Sequence, residues 1–83
     1  MYNNIWYIYM VRCQKGALYT GISKDVTHRI DMHNKGKGAK AVKMLGLPVK
    51  LVYVEEAGSH SNALKRENAI KKLTKIEKEK MVK

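Results

Sequence analysis

This 83-residue sequence predicts an α+β domain: a three-stranded sheet with helices packed on it, in the order β-β-α-α-β-α-α. Three observations lead there. The chain opens on an unbroken run of β-branched and aromatic residues, and two shorter strand-like runs follow, separated by segments with helical spacing and cap residues. Apolar residues make up 45% of the chain, enough for a single modest core, and the length leaves room for one domain.

The opening run, Ile5-Trp6-Tyr7-Ile8-Tyr9-Met10-Val11, is apolar at every position and does not alternate. Such a strand is covered on both faces, so it is expected in the centre of the sheet. Gln14-Lys15-Gly16 is a turn, and Leu18-Tyr19-Thr20-Gly21-Ile22 pairs back on the first strand as a hairpin. Ser23 is the expected cap of a helix over roughly Lys24 to Asn34, with Val26 and Ile30 one turn apart and Gly36 beyond its end. A basic loop, Lys35 to Lys40, leads to a short helix ending near Leu45 before Gly46 and Pro48. Val49 to Glu55 alternates in part and reads as the third strand. Ser59 or Ser61 starts a long helix toward Leu73, and the charged segment Lys75 to Lys83 is a further helix that frays at its end. The whole of 1–83 is expected to be a single domain.

The charge is the first functional pointer. Seventeen Lys and Arg against seven Asp and Glu leave a net charge of +10. That excess on so small a domain suits a polyanionic partner, and nucleic acid first of all. A merely solubilising surface is the plainer explanation of the same charge. A membrane surface suits it less, because the basic segments lack an apolar opposite face. No run is long enough to span a bilayer, and the start of the chain lacks a basic n-region and a cleavage site. One cysteine, Cys13, sits in an apolar stretch and reads as a core residue of a cytoplasmic protein.

Among the polar residues, Tyr9 and Tyr19 lie on adjacent strands, where two phenols can meet on one sheet face. Close together, they could orient or deprotonate a water or bond a phosphate oxygen, provided a cation lowers a phenol's pKa. Tyr7 and Tyr53 read as ordinary strand aromatics. Arg29 and His33 share a helix face at a spacing of four. The guanidinium fork matches a phosphate, and the imidazole can donate a second bond or a proton to a leaving oxygen. Glu67 stands between Ala63 and Ile70 on the inward stripe of its helix. A carboxylate facing inward needs a partner. A hard divalent cation is one, and a salt bridge to Arg29 or a lysine is the other. Lys24, Lys35, Lys37 and Lys40 are candidate contacts to backbone phosphates. Lys71, Lys72, Lys75, Lys78 and Lys80 read equally well as a solvated face. His28 and His60 lack partners at zinc-ligand spacing, and the Gly36/Gly38 loop lacks Walker spacing, so neither zinc nor a small-molecule cofactor is expected.

In order, these elements resemble the GIY-YIG nuclease superfamily. Tyr7-Ile8-Tyr9 and Tyr19-Thr20-Gly21 resemble its two naming elements; Arg29 and His33 follow at the family's helix spacing. Ala63-Leu64-Lys65-Arg66-Glu67 with Ile70-Lys71 resembles its metal-binding helix, and the loop from His33 to Lys40 is similar to small stand-alone bacterial members. The resemblance covers about residues 5–75. It implies a three-stranded antiparallel sheet flanked by helices and hydrolysis of a DNA phosphodiester with a single Mg²⁺ or Mn²⁺. Glu67 would hold the ion, Tyr19 would position or deprotonate the attacking water with Tyr9 in support, Arg29 would stabilise the phosphate, and His33 would hydrogen-bond or assist proton transfer. The likeness extends to the nuclease domain of excision-repair endonucleases, which implies DNA repair or recombination. The sequence departs from the family at Tyr7 and Thr20, where the naming elements have Gly and Ile, and at Ala41-Val42, where an aromatic often follows. A basic DNA- or RNA-binding module that keeps the fold without the chemistry is the alternative, and a protein docking on an acidic partner is a third.

Overall fold

The structure is a computed structural model that describes residues 4–82. Lys83, the end of the expected fraying helix, lies outside the described residues. The elements are β1 (Trp6–Arg12), β2 (Leu18–Ser23), α1 (Val26–Asn34), α2 (Lys40–Leu45), β3 (Lys50–Gly58), α3 (His60–Lys71) and α4 (Lys75–Met81). They form one three-stranded sheet in the order β2-β1-β3, with both pairings antiparallel. The expected order and the central place of the first strand are both observed.

The opening strand is apolar throughout because each of its faces meets a different layer. Tyr9 and Val11 point to one side and join Cys13, Val42 and Val49, with Val26 and Ile30 of α1 packed against them. Ile8 and Met10 point to the other side and meet Ile70 of α3, with Met81 and Val82 at the end of α4 beside them. All four strand residues are buried to within 1%. Two thin cores thus share one strand, the sheet being the middle of three layers.

Local chemistry sets the ends of the elements. Ser23 does not cap α1, as the sequence had suggested. Its hydroxyl accepts from the Asp25 amide at 2.9 Å, while the Asp25 side chain accepts from the His28 amide at 3.1 Å and is the cap. Ser23 is still a strand residue paired with Tyr7, so the helix begins only at Val26. Gly36, at φ 75°, closes α1 as expected: its amide reaches His33 O while that of Lys37 reaches Met32 O, an αL cap that glycine adopts without Cβ strain. Ser59 caps α3 through the Asn62 amide. Thr74 and Glu77 form a capping box at the start of α4, a Thr-x-x-Glu signal that sequence reasoning passed over. The third strand runs three residues beyond its expected end at Glu55, because pairing with β1 continues through Tyr7–Glu56 and Trp6–Gly58.

Candidate active site

Tyr9 is the centre of the site, and a glycine puts it there. Tyr9 pairs with Gly21 across the β1–β2 ladder, on the face covered by α1. A Cβ on Gly21 would stand 2.5 Å from the Tyr9 hydroxyl, so the ring lies flat across a position with no side chain. The phenol then reaches His33 of α1, whose Nε2 is 2.8 Å from the hydroxyl. Gly38 makes the matching gap on the other side of the imidazole: a Cβ there would stand 2.1 Å from Nδ1. Tyr19, paired with Val11 and so on the same face, packs its ring edge-on to His33 at 5.7 Å between centroids.

Three further groups act on the Tyr9 hydroxyl. Its pKa is pushed above the ordinary tyrosine value, chiefly by burial. Hydrogen bonding and charge from Arg29 pull the other way, while Tyr19 and the Glu67 carboxylate add to the rise. Tyr9, Tyr19 and His33 thus meet in one cluster, and Arg29 of α1 and Glu67 of α3 act electrostatically on the Tyr9 hydroxyl. The direction of the shift has a chemical meaning. Burial outweighs the guanidinium, so Tyr9 is a neutral phenol that orients and donates and is a poor base.

His33 is 0% exposed, with its Nε2 against the Tyr9 hydroxyl. Burial first and Arg29 second hold its pKa below the ordinary histidine value, so it is neutral near pH 7. Its Nδ1 is buried without a hydrogen-bond partner, so in either tautomer one ring nitrogen depends on Tyr9 alone. Its geometry is that of a strut for the phenol.

Glu67 projects from the inward stripe of α3 between Ala63 and Ile70, both fully buried, and its side chain is 14% exposed. One carboxylate oxygen lies 3.3 Å from Lys71, an exposed lysine one turn on. Both partners that the sequence offered the carboxylate thus stay chemically open. The pair with Lys71 is half in solvent and weak, so a cation of higher charge can displace it. Among the described residues, no group of three or more His, Cys, Asp or Glu could hold a metal ion. A site with one carboxylate fits a hard ion that keeps most of its waters and takes further oxygens from a phosphate substrate, and it does not fit zinc.

The candidate phosphate lysines divide. Lys37 is exposed on the loop after α1, and Lys40, also exposed, begins α2. Lys35 is committed in part to Asp31, at 2.9 Å. Lys24 lies over the ring of Trp6, 5.7 Å from its centroid, and Trp6 also packs on His60. Sequence reasoning missed Gly21 and Gly38 as parts of the site, although Gly21 closes the second motif.

Fold and site together define a domain of nuclease type. The chain belongs to the GIY-YIG family, whose catalytic domain matches residues 5–80. It is 48% identical over 77 residues to a UPF0213 protein of Cronobacter sakazakii, covering 93% of this chain and 80% of that one. It is 46% identical over 82 residues to the UPF0213 protein YE0453 of Yersinia enterocolitica, covering 99% and 84%. Among solved structures it is similar to the UPF0213 protein BH0048 from Bacillus halodurans, at 37% identity and TM-score 0.60, covering 94% of this chain and 82% of that one. It is also similar to the protein EF2693 from E. faecalis, at 34% identity and TM-score 0.62, covering 94% and 83%. Among the described residues, no helix is long and apolar enough to cross a membrane.

Proposed function

We propose that this chain is a divalent-metal-dependent endonuclease that hydrolyses DNA phosphodiester bonds. What supports the reading is that a guanidinium, a carboxylate and a second phenol act on the buried Tyr9 hydroxyl over Gly21, in a strongly basic domain. Glu67 would hold a single Mg²⁺ or Mn²⁺, which supplies charge neutralisation at the phosphate when bound. Arg29 fits the non-bridging oxygens through its planar fork and stabilises the charge that builds on them. Tyr19, half-buried and braced on His33, is the phenol placed to orient the attacking water or take its proton. Tyr9, kept neutral by burial, donates a hydrogen bond to that group or to the phosphate. His33 holds the Tyr9 hydroxyl in direction. Lys24, Lys37 and Lys40, and Lys35 once Asp31 releases it, grip the flanking backbone. A place in DNA repair or recombination suits such an activity.

The pair between Glu67 and Lys71 favours a second reading, a basic DNA- or RNA-binding module in which Glu67 is only a salt-bridge partner. One comparison separates the two. If Glu67 is a ligand, Lys71→Ala frees the carboxylate, so cleavage persists at equal or lower Mg²⁺ while Glu67→Gln abolishes it. If Glu67 serves only the ion pair, the two variants behave alike.

A further inference from the structure

β2 is an edge strand, and its two faces differ. Tyr19 points to the side of α1 and the candidate active site, whereas Leu18, the residue before it, packs toward Ile70 and the end of α4. Consecutive Cα atoms in a strand stand about 3.8 Å apart. Whatever lies around Leu18 is therefore one residue along an open edge from the proposed water-activating phenol.

What lies there is a concavity of about 220 Å³, lined by Ala17, Leu18, Lys75, Lys78 and Glu79. Lys75 and Lys78 are three apart and so share a face of α4. Glu79 would cancel a lysine if it were free, but Arg12 holds it in a two-pronged pair, at 2.5 and 2.7 Å. That pair ties α4 to the end of β1, and Met81 and Val82 pack into the core beside it. The result is a fixed hollow with two ammonium groups at its rim and an apolar floor, a combination that suits a phosphate and the sugar next to it.

We propose that this hollow is a second phosphate subsite, in which Lys75 and Lys78 grip a backbone phosphate of the substrate strand beyond the one being cut. The strand crosses the β2 edge, with the scissile phosphate beside Tyr19 and Arg29 and its neighbour against α4, on the sheet face that also carries α3. The subsite rests on the nucleic-acid reading of the active site, yet its lysines touch no reacting atom. On this reading α4 serves to position charge beside the cut.

The test is equilibrium binding of a labelled DNA oligonucleotide as a function of salt, without divalent metal. It compares the wild type, Lys75→Ala/Lys78→Ala, and the control Lys50→Ala/Lys65→Ala, which removes equal charge from β3 and from the exposed side of α3. Circular dichroism checks that each variant is folded, and Lys75→Gln/Lys78→Gln replaces the alanine pair if it is not. The expected result is a plot of log K against log salt that is shallower by about 0.9 in the α4 variant, the slope of one phosphate contact on duplex DNA, and little changed in the control. A neutral methylphosphonate at one position beside the cut should weaken binding to the wild type and not to the α4 variant. Equal slopes in the α4 variant and the wild type overturn the subsite and leave the nuclease reading standing. A wild type that binds but never cuts overturns the nuclease reading and leaves the subsite to be decided by the slopes. A wild type without affinity for DNA overturns both.

Discussion

Replacing Tyr9 by Phe removes one oxygen atom, and the structure says what that should cost. The ring stays, since it packs over Gly21 and fills the core, so no cavity opens. The loss falls on His33, whose Nε2 bonds only the Tyr9 hydroxyl and whose Nδ1 already lacks a partner. With the imidazole 0% exposed, no water can replace the phenol without the site opening. A buried polar group left unpaired costs about 1–3 kcal/mol. For a domain of this size that corresponds to a melting temperature lower by roughly 5–20 °C. Tyr53→Phe is the control, because Glu55 loses the phenol but keeps Arg66 at 2.8 and 3.0 Å. Its cost should stay within about 1 kcal/mol. Removing both partners in Tyr9→Phe/His33→Leu should recover part of the loss, with a coupling of about 0.5–3 kcal/mol. Urea denaturation followed by circular dichroism measures the wild type, these variants and His33→Leu, which completes the cycle. A Tyr9→Phe protein as stable as the wild type, or single costs that simply add, would refute the strut.

Other expectations follow from the same geometry. Gly21→Ala and Gly38→Ala should each displace a ring, Tyr9 or His33, and lower both stability and cleavage, whereas Gly16→Ala meets no neighbouring atom and pays only for its positive φ; thermal melts compare them. His33 has a depressed folded pKa, so below its ordinary value of about 6.5 the unfolded chain binds a proton that the native one refuses. Stability should therefore fall as pH drops from 7 toward 5, and His33→Gln should flatten that part of a melting-temperature profile. Arg29→Ala should lower the single-turnover cleavage rate by about 10²–10³ fold, the scale of losing one donor to a developing oxyanion. A loss below threefold would place Arg29 outside the chemistry.

Much of the fold could be read in advance, and the reasons differ by element. The first strand was legible because burial on both faces forbids polar residues, so Ile8 to Val11 announce a central position. The N-terminus of α1 was less so: Ser23 and Asp25 are both good caps two residues apart, and only the strand pairing of Ser23 with Tyr7 decides between them. In the site, Glu67 stood out because a carboxylate on an apolar stripe breaks the pattern. His33 was visible as a residue of interest but not as a buried one, since its helix alternates too weakly to show which face α1 buries. Gly21 and Gly38 were opaque for a different reason. Their importance lies in the rings that occupy the space of their missing side chains, and that contact exists only after strand and helix have come together.

The central claim is that these groups form a working metal-dependent nuclease site. Its most direct test is a cleavage assay on end-labelled single-stranded, duplex and branched DNA with Mg²⁺, Mn²⁺ or EDTA, comparing the wild type with Glu67→Ala and Arg29→Ala. Cutting should need the divalent ion, stop in EDTA, and be lost in both variants while DNA binding remains. Cutting that survives in EDTA or in Glu67→Ala, or its absence on every substrate while salt-sensitive binding persists, would contradict it.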